Sequence, residues 1–408
     1  MSSKGFTSSL PFKLILALVL GILIGLGLSA IEGSAFCTAM LNVIVTIRYI
    51  SGQFINFCIP LIIIGFVAPS ITRLGSNASK MLLLALIIAY ISSIGAAFFS
   101  VVAGYTILPF MNIASEVEGL KSLPEVVFAL SIPQIMPVIS ALVLSITVGL
   151  AATWNKSKYI INLLEEFQAI VLSIVKMFLI PLLPVLIGTT FCGFAYEGSL
   201  TKQLPIFIAI ILIVIIGHYI WLALLYFLAG AYSGKNPLKI INNYGPAYMT
   251  AIGTMSSAAT LSVALQCAKK SEPPLRDDMV NFGIPLFANI HLCGSVMTET
   301  FFVMAVSKIL YGAYPTVSNM ILFALLLGIF AIAAPGVPGG TVMASLGLIT
   351  GVLGFDTSGT ALMLTIFALQ DSFGTACNVT GDGALTLILT GYAEKHNISG
   401  ENLETKNL

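Results

Sequence analysis

Apolar residues in this chain come in long, nearly unbroken runs, neither the alternation of a half-buried strand nor the one-sided stripe of a soluble helix. Phe12 to Ile31, Met81 to Val102 and Leu204 to Ala229 are examples, each above the ~18 residues that mark a helix able to cross a bilayer. The pattern predicts apolar membrane elements at about 11–31, 37–71, 81–110, 132–153, 162–195 and 203–231. Beyond residue 240 it changes: segments 243–272 and 318–355 are apolar but interrupted, by GTMSSAAT (Gly253–Thr260) and by APGVPGG (Ala334–Gly340). Backbone polar groups in lipid must be paired, so such breaks persist at membrane depth only inside protein or beside a cavity. Both segments are therefore read as re-entrant hairpins, each followed by a helix carrying polar residues, 279–312 and 358–394. The expected class is an all-α polytopic membrane protein with eight transmembrane helices and two re-entrant helical hairpins.

Composition excludes the alternatives. Only 9% of the 408 residues are charged, against roughly 25% in a soluble domain. A net charge of +1 offers no footprint for nucleic acid, and the six cysteines, without CxxC spacing, are expected to be free and buried. The first apolar run lacks a small-residue cleavage site and is too long for a signal core, so it is read as a retained helix. Excess Lys and Arg marks cytoplasmic loops. With Lys4 inside, the loops of Arg73 and Lys80, of Lys156 and Lys158, of Lys235 and Lys239, and of Lys269, Lys270 and Arg276 all fall on the cytoplasmic side. The opposite loop, 111–131, carries Glu116, Glu118 and Glu125 with one lysine. The first hairpin then enters from the cytoplasm, the second from outside, and the tail 395–408 is cytoplasmic, in a cell (inner) membrane. FCIPL at Phe57–Leu61 is echoed by FLIPL at Phe178–Leu182, which fits paired repeats; repeats with broken helices are a transporter signature, with the site at the breaks.

The chemistry concentrates in DSFGTACNVTGDGA, Asp371–Ala384. At ~100° per residue, Asp371, Thr375, Asn378 and Asp382 share a narrow stripe of one helix. A carboxylate at the bilayer centre costs at least ~2.5 kcal/mol and faces a cavity or a cation. No Lys or Arg occurs between Lys308 and Lys395, so the counter-charges are expected from solute: a metal cation, a proton or an ammonium group. In the first hairpin, helix-terminal N–H groups with Ser256, Ser257 and Thr260 suit a carboxylate. In the second, GVPGG forms a mobile tip whose carbonyls can turn toward a cation.

SSAATL, PGVPGG and above all NVTGD (Asn378–Asp382), in this order and on these elements, resemble the dicarboxylate/amino acid:cation symporters, the glutamate transporter family. The resemblance implies the elevator fold of glutamate transporter homologues, in a homotrimer whose fixed scaffold holds a moving transport domain. Region 1–240 would then be mostly scaffold, with its third and sixth helices joining the transport core 241–394. The resemblance also implies that Asp371 and Asn378 grip the amino and carboxylate groups of an amino acid. Ser256, Ser257, Val337, Pro338, Gly339, Gly374 and Thr375 complete the substrate set it implies. Sodium would be held by Asp382 and Asn378 and around Phe287, Asn289, His291, Ala331, Ile332 and Ala334, several through backbone carbonyls.

The departures from the family pattern are specific. Acid-transporting relatives place an arginine where this chain has Gly374, and archaeal members place one where it has Met255. Without a guanidinium a second substrate carboxylate would be buried unpaired, at a cost of several kcal/mol. A neutral amino acid is therefore expected, and LQDS (Leu369–Ser372) is shared with bacterial serine/threonine symporters, which also lack the arginine. Gly374 is expected to leave room for a larger side chain. Where relatives read PLGATINMDGT this chain reads PLFANIHLCGS (Pro285–Ser295), so the asparagine becomes His291 and a sodium-binding aspartate becomes Cys293. Glu299 matches the glutamate that carries a proton in excitatory amino acid transporters, and Glu299 and His291 are the candidate proton carriers. The expected function is cation-coupled uptake of a neutral, serine/threonine-like amino acid, with sodium and a possible proton as transported ions and no bound cofactor. Competing readings are a proton-coupled or sodium-independent carrier or exchanger, and an acidic amino acid or dicarboxylate symporter. From another class comes an intramembrane serine hydrolase with Ser256 or Ser257 as nucleophile and His291 as base, which lacks a nucleophile elbow.

Overall fold

A computed structural model of the protein describes residues 10–75, 80–111, 113, 121–198, 200–271, 274–334 and 336–398. Lys4, Glu116, Glu118 and the tail beyond residue 398 lie outside the described residues. The described residues fold into helices, with no strand among them. Among the described residues six helical stretches, two of them interrupted, are long and apolar enough to cross a membrane, and the chain is a multi-pass membrane protein. The first half contains α1 (Leu10–Ala30), α2 (Ala35–Gly75), α3 (Lys80–Ile107), α4 (Val138–Trp154), α5 (Lys158–Ile174), α6 (Ile180–Glu197) and α7 (Leu200–Ser233). A short α8 (Leu238–Ile241) leads into the first hairpin, α9 (Gly245–Thr254) and α10 (Ser257–Lys269). Then come α11 (Asp277–Ile290) and α12 (Cys293–Tyr311), the second hairpin α13 (Val317–Ala333) and α14 (Gly340–Gly351), and the long α15 (Thr357–Lys395).

Proline sets several of these boundaries. Pro137 takes an extended backbone at the start of α4, so this helix begins later than the apolar run from 132 suggests. Pro181 lacks the N–H that would continue the ladder, and just before it the chain widens into a π turn, Val175–Leu179, that joins α5 to α6. The element expected at 162–195 thus spans Lys158 to Glu197 with a bulge inside it.

A larger correction concerns 279–312, expected as one helix. It is two helices, interrupted at His291 and Leu292 in non-helical backbone. The first N–H groups after the break are not orphaned: Asn378 Oδ1 accepts from Gly294 N at 2.7 Å and from Ser295 N at 3.2 Å. A distant side chain therefore caps α12 and makes the break affordable at depth.

Helix α15 is the axis of the second half, packed against α12, α7, α9, α11 and α3, and buried along almost its whole length. On the other side α1 lies against α6, where Gly21 and Gly25 face the carbonyls of Gly188 and Cys192 so closely that no Cβ would fit. By contrast α1, α5 and α7 expose large apolar side chains such as Leu23, Leu163 and Phe227. Charges pair at the ends of the bundle. Lys121 binds Glu32 at 2.7 Å beside the start of α7, while at its far end Lys235 binds Glu394 at 2.5 Å and Arg276 donates to the carbonyl of Ile398 at 2.9 Å.

Candidate functional site

Two helix starts, those of α12 and α14, bond to the polar stripe of α15, and a third, that of α10, is tied to the tip that carries the α14 start. Each follows an interruption, and each presents N–H groups without intrahelical partners. At the first hairpin, Met255 adopts a left-handed backbone (φ 51°), a conformation that costs a non-glycine residue about 1–2 kcal/mol. The turn lets Ser256 cap α10, its Oγ accepting from Ala259 N at 3.2 Å. The same hydroxyl donates to the carbonyl of Gly336 in the second hairpin at 2.6 Å, so the two tips are tied together. Ser257 and Thr260 are buried beside it.

At the second tip Gly339 is left-handed (φ 69°) and begins α14, and its N–H donates to Asp371 Oδ2 at 2.7 Å. Asp371 is 3% exposed, and among the described residues no Lys or Arg bonds to it. Val337 and Pro338 are half-buried beside it in the chain. They lie on the same tip as Gly336, whose position approaches the carbonyl of Ala288 at the end of α11. Both hairpins and the α11 end therefore meet in one place.

Asn378 is committed to protein. Besides capping α12, its Nδ2 donates to Ser295 Oγ at 2.9 Å. Thr375 is buried one turn after Asp371. Gly374 faces α12: a Cβ there would lie 3.3 Å from the Cα of Ser295. The space beside Gly374 is thus bounded by the α12 backbone and the Ser295 hydroxyl, which would make a side chain there a tight fit.

Farther along, Asp382 Oδ1 lies 2.9 Å from His291 Nδ1, and His291 Nε2 lies 2.9 Å from Ser92 Oγ on α3. Both side chains of the pair are fully buried, and among the described residues Asp382 Oδ2 has no hydrogen-bond partner. His291 is engaged with Asp382 and Ser92, and Ser256 Oγ donates to Gly336, so the structure does not pair His291 with Ser256 as base and nucleophile. Glu299 is buried on α12, where its Oε1 accepts a short hydrogen bond from Ser345 Oγ of α14, while Oε2 has no partner.

The remaining sodium candidates divide into two groups. Phe287 and Ala331 are buried, whereas Asn289, Ile332 and Ala334 line a cavity of about 440 Å³ with Val337, Glu165 and Lys176. Asn289 turns its amide back to the carbonyl of Pro285 at 2.8 Å. Among the described residues no group of three His, Cys, Asp or Glu side chains could hold a metal ion, so any cation here would rest on hydroxyl and carbonyl oxygens with one carboxylate.

Sequence reasoning did not reach Ser92, Ser345 or His218. His218 Nε2 sits 3.0 Å from both the Gly294 carbonyl and Thr298 Oγ1, bracing the start of α12 from α7. A histidine in the apolar run 204–229 was the available signal; the serines had none, since a buried serine in a membrane helix commonly bonds its own backbone.

The sequence profile of the Sodium:dicarboxylate symporter family matches residues 10–392. The chain belongs to this family. Its fold is accordingly that of the glutamate transporters, a family of secondary transporters and not of enzymes. Curated relatives include the putative sodium-dependent excitatory amino acid transporter glt-4 of Caenorhabditis elegans, 25% identical over 42% of this chain and 34% of its own length. Human excitatory amino acid transporter 2 is 26% identical over 44% of this chain and 31% of its length. Human excitatory amino acid transporter 1 is 25% identical over 52% and 38%, respectively. The matched segments thus span about a third of these relatives.

Proposed function

We propose that this symporter-family chain carries a neutral amino acid across the membrane, coupled to a cation, with serine and threonine as the first substrates to try. One observation carries the reading. Asp371 is a buried carboxylate whose bonded partner is a backbone N–H on a glycine-rich hairpin tip, in a stretch of chain without Lys or Arg. A substrate ammonium is the counter-charge that such a group lacks. The tip bond can be exchanged for it, because a neutral N–H stabilises a carboxylate less than an ammonium does in a dry pocket. The N–H groups at the start of α10, beside Ser257, supply the matching place for the substrate carboxylate.

Nothing at Gly374 or Met255 offers a second cationic partner, which supports a neutral side chain over an acidic one. The relatives' names favour the acidic reading, so the panel must include aspartate and glutamate. In the same proposal α1, α2, α4, α5 and α6 form a scaffold, the hairpins with α11, α12 and α15 form a moving unit, and α3 and α7 travel with it. The exposed apolar faces of α1 and α5, against the buried lengths of α12 and α15, support that division. A homotrimer in the cell membrane, with both termini cytoplasmic and an elevator-like movement, completes the reading. The test is uptake into proteoliposomes from a panel of labelled amino acids, with sodium and proton gradients imposed separately. Preference for aspartate over serine and threonine would overturn the specificity; uptake indifferent to both gradients would overturn coupling.

A further inference from the structure

His291 is the first residue past α11, and its extended backbone (φ −120°, ψ 104°) turns the ring out of the helix into the space between α3 and α15. There the imidazole is held on every side. Nδ1 meets Asp382 Oδ1 and Nε2 meets Ser92 Oγ, each at 2.9 Å. A Cβ at Gly381 would come within 2.9 Å of Cε1, so the ring edge lies against the α15 backbone. The Phe287 ring stands edge-on at 6.4 Å, and the Cys293 sulfur lies 3.4 Å from that same Cβ position at Gly381. These contacts fill the position between Asp382 Oδ1 and Ser92 Oγ with the ring itself.

Without the ring, the gap would offer the Asp382 carboxylate and the Ser92 hydroxyl, oxygens of the kind hard cations take. With the ring present, one carboxylate oxygen and the hydroxyl are already occupied, and the next side chain toward the gap is a thiol, a poor ligand for sodium. The residues present do not fit a sodium ion at Asp382.

We infer that the His291 ring is the permanent occupant of the position between Asp382 and Ser92, and that this protein binds no transported sodium ion at Asp382. The inference rests on the cation-coupled reading above, and it moves coupling to other sites. It depends on occupancy by the ring, and not on the ring's charge. Asp382 Oδ2, buried and without a partner, is the atom that a surviving ion would need.

The test counts sodium without requiring transport. Purified full-length protein is equilibrated with radioactive sodium, with choline in place of competing cations, and thermal unfolding verifies that each variant is folded. Asp382→Asn in the otherwise wild-type chain is expected to bind as many sodium ions per chain as the wild type. His291→Asn, which exchanges the ring for a small oxygen-bearing side chain, is expected to gain a sodium ion, and His291→Asn with Asp382→Asn is expected to lose it again. Loss of an ion in Asp382→Asn with His291 in place overturns the inference, and so does a folded His291→Asn that binds no additional ion. Should Asp382→Asn not fold, the His291→Asn arm decides alone, with His291→Gln as its replacement. Amino-acid uptake is measured on the same preparations. Absent uptake with the expected ion counts would refute the transport reading and leave the His291 assignment standing.

Discussion

Asp371 and Asp382 lie on one face of α15, both buried, yet they are held in opposite ways. Asp371 takes a backbone N–H from Gly339 on the tip of a hairpin, and Asp382 takes a ring nitrogen that is itself anchored to α3 by Ser92. In the proposed reading the glycine tip moves away and returns, which opens the first carboxylate to a substrate ammonium. The second is bound into a chain of side chains from α11 and α3, which ties three helices together. Identical residue types on one helix are thus held by a hairpin tip at one end and by a relay of side chains at the other. The deciding variable is whether the partner sits on a movable element.

The largest expected effect tests the exchangeable end. Asp371→Asn keeps an oxygen for the Gly339 N–H but removes the charge that an ammonium needs. Breaking such a buried pair costs roughly 3–5 kcal/mol, so affinity for the preferred amino acid is expected to fall by about a hundredfold or more. Titration calorimetry on purified protein measures it, and wild-type affinity in the variant would remove Asp371 from the site.

Gly374→Arg comes next. Its Cβ would press on the Cα of Ser295 at 3.3 Å, and its guanidinium would be buried beside α12 without an acidic partner. Neutral amino acids are expected to bind about tenfold more weakly or worse, while aspartate gains relative to serine through a charge-assisted pair. Competition binding with both amino acids reads the ratio. An unchanged ratio would show that this face of α15 does not address the substrate side chain.

Glu299 offers a third arrangement, a carboxyl on α12 bonded to Ser345 on the second limb of the movable hairpin. If a proton travels on it, uptake rises as the outside is acidified at fixed sodium, because the protonated carrier is the one loaded. Glu299→Gln imitates the protonated state and is expected to flatten that dependence, while exchange changes by less than about fivefold, the equivalent of ~1 kcal/mol. Uptake and counterflow at several external pH values compare the two proteins. Superimposable pH profiles would exclude Glu299 as the carrier.

The smallest effect belongs to the fixed end. Ser92→Ala removes the outer anchor of His291 and is expected to cost about 1 kcal/mol of stability, seen as a small drop in unfolding temperature. Amino-acid affinity should not change. A large loss of affinity would mean that the Asp382 end, too, communicates directly with the substrate.

What the sequence determined by itself follows from short-range rules. Length and apolarity of the runs placed the membrane helices, and the Gly- and Pro-bearing interruptions at Gly253–Thr260 and Ala334–Gly340 marked the hairpin tips. Helical periodicity was enough to align Asp371, Thr375, Asn378 and Asp382, since one unbroken helix carries all four. The break at His291 and Leu292 was not visible in this way, because neither residue is a helix breaker. It exists because Asn378, more than eighty residues away in the chain, caps the new helix start, and because His291 finds Asp382 and Ser92. Similarly, that Gly374 packs against the α12 backbone shows only in the folded chain. Helix positions are local properties of the chain, but whether a buried polar group is free, capped or filled depends on which distant atoms arrive within about 3 Å, and only the packed structure decides that.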